Sequence, residues 1–238
     1  FMLLTFGVIL FVVSLQEGFY SYQFRMLGWT LLCAILIISG CQGLLLALWK
    51  CRIWFFYTVS CVTVHNAIDY LTCHFFPLRT PMLMLKPEAT FEGFTAGAIS
   101  CFLFFSIVVT YLIDLPWFMQ VANRITFLPF DNTSHSLAQG PLYEKNLQTI
   151  SWVTSLGMEP ITFVASELQL HLFVITVFIA FIAPFGGFLF AGLKRAMRQS
   201  HLSISIFKGG VIDRLDCIII TGCFVLIYMN MLVIRNEV

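Results

Sequence analysis

Long apolar runs that are almost free of charge constrain this chain more than any other feature of its sequence. Six runs are long enough to count, at roughly 2–15, 28–49, 53–76, 93–113, 161–190 and 215–234. A helix needs about 20 apolar residues to cross the hydrocarbon core of a bilayer. Helices are the only fit, because the period-two alternation of strands is absent and lipid requires each segment to satisfy its own backbone polar groups. The sequence therefore predicts an all-α, polytopic membrane protein with about six transmembrane helices.

Two of these runs differ from a single bilayer width. The run 2–15 is short, and Phe1 stands inside it without an initiator methionine or a signal-peptide n-region, so we expect natural sequence upstream of it. The run 161–190 is too long, and Glu167 and His171 lie near its start. We therefore expect it to begin with an interfacial or re-entrant piece.

Composition agrees with a membrane protein and excludes other classes. Only 11% of the 238 residues are charged, against about 25% in soluble domains. The net charge of +1 does not decide for or against nucleic acid, but no basic face interleaved with aromatic residues is present, so nucleic acid is not an expected partner. The eight cysteines form no CxxC pair, which favours small buried hydrophobes over a metal site or a disulfide framework. We treat residues 1–238 as a single transmembrane domain.

Charge is concentrated between residues 183 and 216, where an apolar run ends in paired glycines. The cations there are Lys194, Arg195, Arg198, Lys208 and Arg214. Asp213 and Asp216 follow a second glycine pair, and at i and i+3 they share one face if the segment is helical. Such groups suit a polyphosphate and a divalent metal, since cations neutralise phosphate oxygens and carboxylates bind Mg²⁺. The alternative for the cations alone is a topological anchor that keeps this loop cytoplasmic.

The distribution of lysine and arginine orients the predicted helices. In a six-span arrangement the loops 16–27, 77–92 and 191–214 share one face and hold eight of the 13 cations. That excess predicts a cytoplasmic face for these loops. The glycosylation sequon at Asn132 falls on the opposite side. Loop 77–92 thereby joins loop 191–214 at one face, although its Pro-Thr-Glu pattern is also typical of a helix cap.

Polar residues inside predicted spans are the other candidates. His65, Asn66 and Asp69 lie in the third run, with His65 and Asp69 one helical turn apart. One interpretation is an internal pair in which Asp69 accepts from His65. Another is a transporter built around these two residues with Glu167 and His171, although no inverted repeat is visible.

Several of these motifs together resemble the phosphatidate cytidylyltransferase family, the CDP-diacylglycerol synthases, in its eukaryotic form. The segment 209–217 reads G-G-V-I-D-R-L-D-C and keeps the family pattern G-G-x-x-D-R-x-D. Ala183-Pro184-Phe185-Gly186-Gly187 is similar to the family's G-P-F-G-G, and Lys194-Arg195 follows it. The segment 86–94 is similar to S-P-K-K-T-W-E-G-F, and Arg79-Thr80-Pro81 stands where the family has R-T-P. The likeness covers about residues 19–234.

The resemblance implies nucleotidyl transfer from CTP to phosphatidic acid, giving CDP-diacylglycerol and pyrophosphate in phospholipid biosynthesis. It implies that Asp213, Asp216 and Lys194 are catalytic, and that the two aspartates hold Mg²⁺. By the same resemblance the substrate-binding residues are Arg195, Arg214, Lys208, Gly209, Gly210, Arg79, Glu92 and His171. It implies an integral protein of the endoplasmic reticulum membrane with its site facing the cytoplasm, and a homodimer is left open.

The chain departs from the family pattern at several motif positions. The third run has Ala67 where the family has an acid, and Ser200-His201 stands in place of Lys-Asp. Ala191 replaces a serine, Lys208 replaces a histidine, and Glu88 reverses the charge of a lysine. These differences support an alternative in which a catalytically impaired family member binds acidic lipid or serves as a partner subunit.

Overall fold

The computed structural model describes residues 2–15, 17–75, 80, 90–121, 136–137, 145–150, 161–196 and 212–233. Helices dominate these residues, which confirms the predicted helical class. They are α1 (Met2–Val13), α2 (Tyr20–Lys50), α3 (Arg52–Phe75), α4 (Phe91–Phe104), α5 (Thr110–Asp114), α6 (Glu167–Phe181), α7 (Ala183–Ala196) and α8 (Ile212–Tyr228). The π-helical segments Phe105–Val109 and Met229–Val233 join α4 to α5 and extend α8.

Four helical stretches among the described residues are long and apolar enough to cross a bilayer. They are Tyr20–Lys50, Phe91–Asp114, Glu167–Gly192 and Leu215–Leu232. The helix α1 has only 12 residues, and α3, whose second half includes the polar residues His65, Asn66, Asp69, Thr72 and His74, is not among the four. The count of six spans therefore stays a prediction.

Short strands occupy parts of the chain between the fourth and fifth apolar runs and the start of the fifth run. Strand β1 (Gln120–Val121) pairs antiparallel with β2 (Ser136–Leu137), and β3 (Lys145–Ile150) pairs antiparallel with β4 (Ile161–Ser166). The run predicted at 161–190 therefore begins as a strand and not as a helix, and whether this piece is interfacial stays a prediction. Helix α6 begins only at Glu167, where Ser166 and Gln169 form a reciprocal capping box.

Helices α2 and α8 approach each other closely because glycines line their contact. A Cβ atom built on Gly40 would lie 2.6 Å from the backbone oxygen of Ile219, and one on Gly43 would overlap the backbone of Gly222. Ser39 Oγ also lies 3.0 Å from Cys223 Sγ. Since lipid removes most of the hydrophobic driving force between helices, such close packing of small residues is a main source of their association.

A second packed region is the core between α3, α4 and α6. Trp54 and Tyr57 on α3 and Leu172 and Ile175 on α6 are fully buried. The Tyr57 hydroxyl also hydrogen-bonds the Thr176 hydroxyl across these two helices. Burying that polar pair together satisfies both groups inside an apolar environment.

Aromatic contacts fix the direction of α4 relative to α6 and α7. Phe94, near the start of α4, lies 6.4 Å from Phe185 in α7, measured between ring centroids. Phe105, just beyond α4, lies 5.4 Å from Phe173 in α6. As α4 proceeds from Phe94 to Phe105, its partner changes from Phe185 to Phe173, which is earlier in the chain. Helix α4 therefore runs antiparallel to α6 and α7, and its first turn lies at the end where α7 finishes.

The same reasoning orients α8. Gly186 in α7 packs against α8 at Asp216, whose carbonyl oxygen would be 3.3 Å from a Cβ atom at position 186. His171 in α6 contacts Tyr228 at the far end of α8 through a hydrogen bond of 2.6 Å. Helix α8 is thus antiparallel to α6 and α7, and it begins where α7 ends.

Helix α3 reaches the same end from the other direction. Tyr57 packs on Phe104 with ring centroids 6.0 Å apart, and Cys73 Sγ lies 3.0 Å from Thr90 Oγ1 at the start of α4. The pair α3 and α4 is therefore antiparallel. The end of α3, the starts of α4 and α8, and the end of α7 lie at one end of the bundle, which we call the charged end.

Candidate functional site

The charged end gathers residues from motifs that are far apart in sequence. Helix α7 carries Lys194 and Arg195 in its last turn, and α8 carries Asp213 and Arg214 in its first turn. The side chains of these four lie outside the described residues. Arg79, Lys208, Gly209 and Gly210 lie outside the described residues altogether. The fold nevertheless brings the helices that bear or flank these motifs to one place, the same grouping of loops that the charge distribution predicts.

Asp216 is the predicted catalytic acid that the structure describes most fully. It lies in the second turn of α8 and is 2% exposed. Its Oδ1 accepts a hydrogen bond of 2.7 Å from the backbone N–H of Cys217. Burial of an ionised carboxylate is unfavourable unless donors or a cation surround it. A buried acid at the charged end is therefore a chemically suitable part of a cation site.

A tight helix crossing sets the position of Asp216. Gly186 belongs to the Phe-Gly-Gly part of the sequence motif, and a Cβ atom there would lie 2.7 Å from the Ile220 side chain. The glycine lets α7 contact α8 at the level of the aspartate. The motif's glycine thus has a packing role in addition to any contact with substrate.

The two aspartates were expected to share one face if their segment is helical, and the backbone there is helical. Helix α8 begins at Ile212 and includes both Asp213 and Asp216. Positions three residues apart on a helix lie on the same side of its axis. Among the side chains that the structure describes, no group of three or more His, Cys, Asp or Glu residues is arranged to hold a metal. The Mg²⁺ site expected at Asp213 and Asp216 accordingly stays a prediction.

The start of α4 is held by a network that the sequence indicated only as a helix cap. Thr90 is the N-cap residue, and its hydroxyl accepts from the Gly93 backbone N–H at 3.1 Å. The Cys73 thiol lies 3.0 Å from the same hydroxyl and 3.7 Å from Asp69 Oδ1. A Cβ atom at position 93 would collide with the Asp69 carboxylate. The cap interpretation is confirmed, and the cap also locks α4 onto α3.

Loss of this cap should weaken the charged end measurably. We expect Thr90→Ala to lower the free energy of unfolding by about 1 kcal/mol, since it removes the acceptor for the Gly93 N–H. Thr95→Ala is the matched control, because the Thr95 hydroxyl bonds only the Glu92 carbonyl within its own helix. Thermal unfolding in detergent measures both variants. Equal midpoints for the two would contradict the role of the cap.

Glu92 projects from the first turn of α4 beside this cap. Its Oε1 accepts a hydrogen bond of 2.7 Å from the Thr80 hydroxyl, and the Phe91 N–H donates to the Thr80 carbonyl at 3.1 Å. Its Oε2 is shielded from solvent, and the backbone N–H groups of Glu92 and Thr80 also hydrogen-bond the carboxylate. The resemblance identified Glu92 as substrate-binding, but no sequence signal indicates the state of its second oxygen.

His171 is not brought together with the other predicted site residues. It lies in the second turn of α6, where its Nδ1 contacts the Tyr228 hydroxyl at 2.6 Å and its ring packs on Trp54. Tyr228 is twelve positions beyond Asp216, which corresponds to about 18 Å along a helix. The structure therefore places His171 at the opposite end of the bundle, away from the charged end.

The positions of the intramembrane polar residues do not favour the transporter interpretation. His65 and Asp69 lie in the half of α3 nearer the charged end, whereas Glu167 and His171 lie at the start of α6 at the other end. The His65 ring is buried and packs against Gly97. The four residues do not form one site.

Comparison with known proteins agrees with the motifs gathered at the charged end. Residues 1–232 match the model of the Cytidylyltransferase family. Curated relatives include the phosphatidate cytidylyltransferase of Caenorhabditis elegans, 30% identical over 97% of this chain and 49% of the relative. Phosphatidate cytidylyltransferase 2 of Homo sapiens is 32% identical over 96% of this chain and 51% of its own length. Phosphatidate cytidylyltransferase 1 of Arabidopsis thaliana is 25% identical over 100% of this chain and 55% of its own length.

These matches cover nearly all of this chain but only part of each relative. The chain spans about half the length of the curated relatives it matches. No solved structure matches the chain. The family model covers nearly the whole sequence, however, and the G-G-x-x-D-R-x-D motif lies within the matched region. The chain therefore belongs to the cytidylyltransferase family.

Proposed function

We propose that this chain is a membrane-embedded CTP:phosphatidate cytidylyltransferase whose site is the charged end of the bundle. The observation that carries the proposal is the buried Asp216, seated by the α7–α8 crossing in the intact motif of the family. The phosphatidate cytidylyltransferases among the relatives supply the reaction class. The substrates would be CTP and phosphatidic acid, and the products CDP-diacylglycerol and pyrophosphate.

The reaction requires positioning and charge neutralisation more than covalent help from the protein. A phosphate oxygen of phosphatidic acid attacks the α-phosphorus of CTP, and the bond from that phosphorus to the bridging β-phosphate oxygen breaks. In the proposal Lys194, Arg195 and Arg214 hold phosphate oxygens, assisted by Arg79 and Lys208. Gly209 and Gly210 allow backbone N–H groups to approach the same oxygens.

Asp213 and Asp216 would hold Mg²⁺ in this scheme. When bound, the metal supplies positive charge against the phosphate oxygens. Carboxylate oxygens are the ligands that Mg²⁺ prefers, and the burial of Asp216 suits such a role. The acyl chains of phosphatidic acid can stay in lipid beside the spans while its headgroup reaches the charged end.

The proposed orientation follows from the cations. Most lysine and arginine residues belong to the loops at the charged end, so that end would face the cytoplasm, with the endoplasmic reticulum as the membrane. A cytoplasmic site has direct access to CTP. Protease or alkylation mapping of tags placed between residues 197 and 211 would test this orientation in sealed microsomes.

Product formation from defined substrates tests the activity. We expect the purified protein in phosphatidic acid–containing micelles to form CDP-diacylglycerol from CTP and Mg²⁺, and Asp213→Ala to reduce that product at least about a hundredfold. Lipid extraction followed by mass spectrometry identifies the product. Equal yields from the natural chain and the Asp213→Ala variant would contradict the proposal.

The motif departures favour a second candidate function. Ala67 removes an acid and Glu88 reverses a charge relative to the family pattern, and each change weakens the stabilisation of a transition state. The second candidate is a non-catalytic family member that binds acidic lipid through the same cations. Phosphatidic acid binding without any metal-dependent CTP binding would support it over the first.

A further inference from the structure

A proline interrupts the spanning stretch Glu167–Gly192 and divides it into two helices. Helix α6 ends at Phe181 and α7 begins at Ala183, so Pro184 is the second residue of α7. Proline has no backbone N–H. In a continuous helix the N–H of residue 184 would donate to the carbonyl of Ala180, four residues earlier. Pro184 therefore leaves the Ala180 carbonyl without its usual helical donor.

The freed carbonyl lies where bulk water does not reach it. Ala180 is fully buried and stands near the middle of the spanning stretch. A buried carbonyl without a donor is unfavourable. Neighbouring helices commonly satisfy the backbone groups that a proline frees inside a membrane span. A donor from another helix is therefore expected at this position.

Helix α3 supplies that donor. The His65 ring hydrogen-bonds the backbone of Ala180, and His65 itself is 3% exposed. Within α6 the N–H of Ala180 pairs with the Thr176 carbonyl, so the Ala180 carbonyl is the group left to accept from the imidazole N–H. The sequence suggested Asp69 as the partner of His65. The partner that the structure describes is instead the carbonyl that Pro184 frees.

Helix α4 holds the imidazole at the break between α6 and α7. A Cβ atom built on Gly97 would lie 2.9 Å from Cε1 and Nε2 of His65, so the ring occupies the space that a larger residue would need. Phe94 packs edge-on against the same ring, with centroids 6.5 Å apart. Phe94 also contacts Phe185, the residue after Pro184. The imidazole is thereby packed between α4 and the break.

The angle of this break determines how α7 meets α8. Gly186, two residues after Pro184, packs against α8 beside the backbone of Asp216. Lys194 lies ten residues beyond Pro184, so a change of about 10° at the break would move its backbone by about 2–3 Å. A misplacement of about 1 Å can lower an enzymatic rate about a hundredfold. The geometry of the proposed site therefore depends on a fixed break.

We propose that His65 is a positioning residue of the reaction. By donating to the Ala180 carbonyl that Pro184 frees, it fixes the angle of α7 against α8. That angle sets the α7–α8 contact beside Asp216 and the place of the cations at the end of α7. This inference rests on the proposed function, and it gives His65 no contact with substrate.

Three variants separate hydrogen bonding from packing. His65→Leu removes the donor and keeps an apolar side chain in its space. His65→Gln replaces the ring but keeps an N–H donor. Pro184→Ala restores a backbone N–H that can donate to the Ala180 carbonyl in place of the imidazole. Thr63→Val is the matched control, because the Thr63 hydroxyl bonds the Val59 carbonyl of its own helix on the exposed side of α3.

Each protein is compared by three measurements. They are the rate of CDP-diacylglycerol formation, the thermal midpoint in one detergent, and the distance between spin labels on either side of the break. The labels stand at Val174 in α6 and Leu189 in α7, which are both exposed. Unnatural amino acids carry them, because thiol labelling would also modify the eight native cysteines.

The donor is expected to matter more than the bulk of the side chain. His65→Leu should lower kcat at least about tenfold, broaden the Val174–Leu189 distance distribution and lower the thermal midpoint. His65→Gln should keep kcat within about threefold of the natural chain, since it restores the hydrogen bond. Thr63→Val should match the natural chain. When Pro184→Ala is already present, adding His65→Leu should have less than about a third of its effect on the thermal midpoint, because the new N–H supplies the donor.

Other outcomes would overturn the assignment. A higher rate in His65→Leu than in His65→Gln would show that the histidine acts by packing. An equal loss from His65→Leu with and without Pro184→Ala would show that the freed carbonyl is not its target. An unchanged Val174–Leu189 distance in His65→Leu would contradict control of the angle. Failure of the natural chain to form CDP-diacylglycerol would instead contradict the proposed function, while the midpoints and distances would still decide the role of His65.

Discussion

Replacement of Asp216 by asparagine is expected to lower CDP-diacylglycerol formation at least about a hundredfold without unfolding the protein. Asparagine keeps the oxygen that accepts from the Cys217 N–H, so the local hydrogen bond of 2.7 Å can persist. It loses the negative charge that a divalent cation requires. The residue is almost fully buried, so bulk water does not weaken the attraction between its charge and the cation.

The measurement compares initial rates of CDP-diacylglycerol formation at saturating CTP and Mg²⁺. Asp114→Asn makes the same chemical change at the exposed end of α5, away from the charged end, and should keep full activity. Matching thermal midpoints for the natural chain and the Asp216→Asn variant would exclude unfolding as the cause of a loss. An Asp216→Asn protein with more than half of the natural rate would contradict the role of this acid.

Substitution of Gly43 by alanine should destabilise the fold by at least about 2 kcal/mol. The added methyl group would overlap the backbone of Gly222, and a backbone cannot rotate away as a side chain can. Helices α2 and α8 would have to separate, which sacrifices the close packing that associates helices in lipid. Because α8 carries Asp216 in its second turn, we expect activity to fall together with stability.

Gly28→Ala provides the opposite expectation on the same helix. Nothing lies within 4 Å of a Cβ atom at that position, so the only effect is the higher helix propensity of alanine. That should stabilise the protein by up to about 1 kcal/mol. Thermal unfolding in one detergent compares the two variants. A Gly43→Ala midpoint equal to or above that of Gly28→Ala would contradict the packing of α2 on α8.

Sequence reasoning predicted much of the helical framework, because membrane spans are dictated by hydrophobic length. It missed the first turns of α2, which begins at Tyr20 instead of about 28, since the polar and aromatic residues there do not register as part of an apolar run. It also missed strand β4, because a short apolar run such as Ile161–Ser166 fits a strand or a helix equally well without knowledge of its partner β3.

The candidate site was predicted in part, and the reasons for the gaps are physical. The distribution of lysine and arginine predicted that loop 77–92 lies on the same face as loop 191–214. The contact of Thr90 with Cys73 at the charged end supports that prediction. The same prediction implies that His171 lies elsewhere. It stands near the start of the span Glu167–Gly192, and a span that ends at the charged end must start at the opposite end. The contact of the Glu92 carboxylate with Thr80 depends on packing in three dimensions and has no sequence signature.

The fate of labelled phosphorus tests the central claim most directly. The natural chain is given phosphatidic acid, Mg²⁺ and CTP labelled with ³²P at either the α or the γ position. Nucleotidyl transfer at the charged end predicts that the α label enters the lipid fraction and the γ label appears in pyrophosphate. Absence of the α label from lipid, or arrival of the γ label there, would contradict the account.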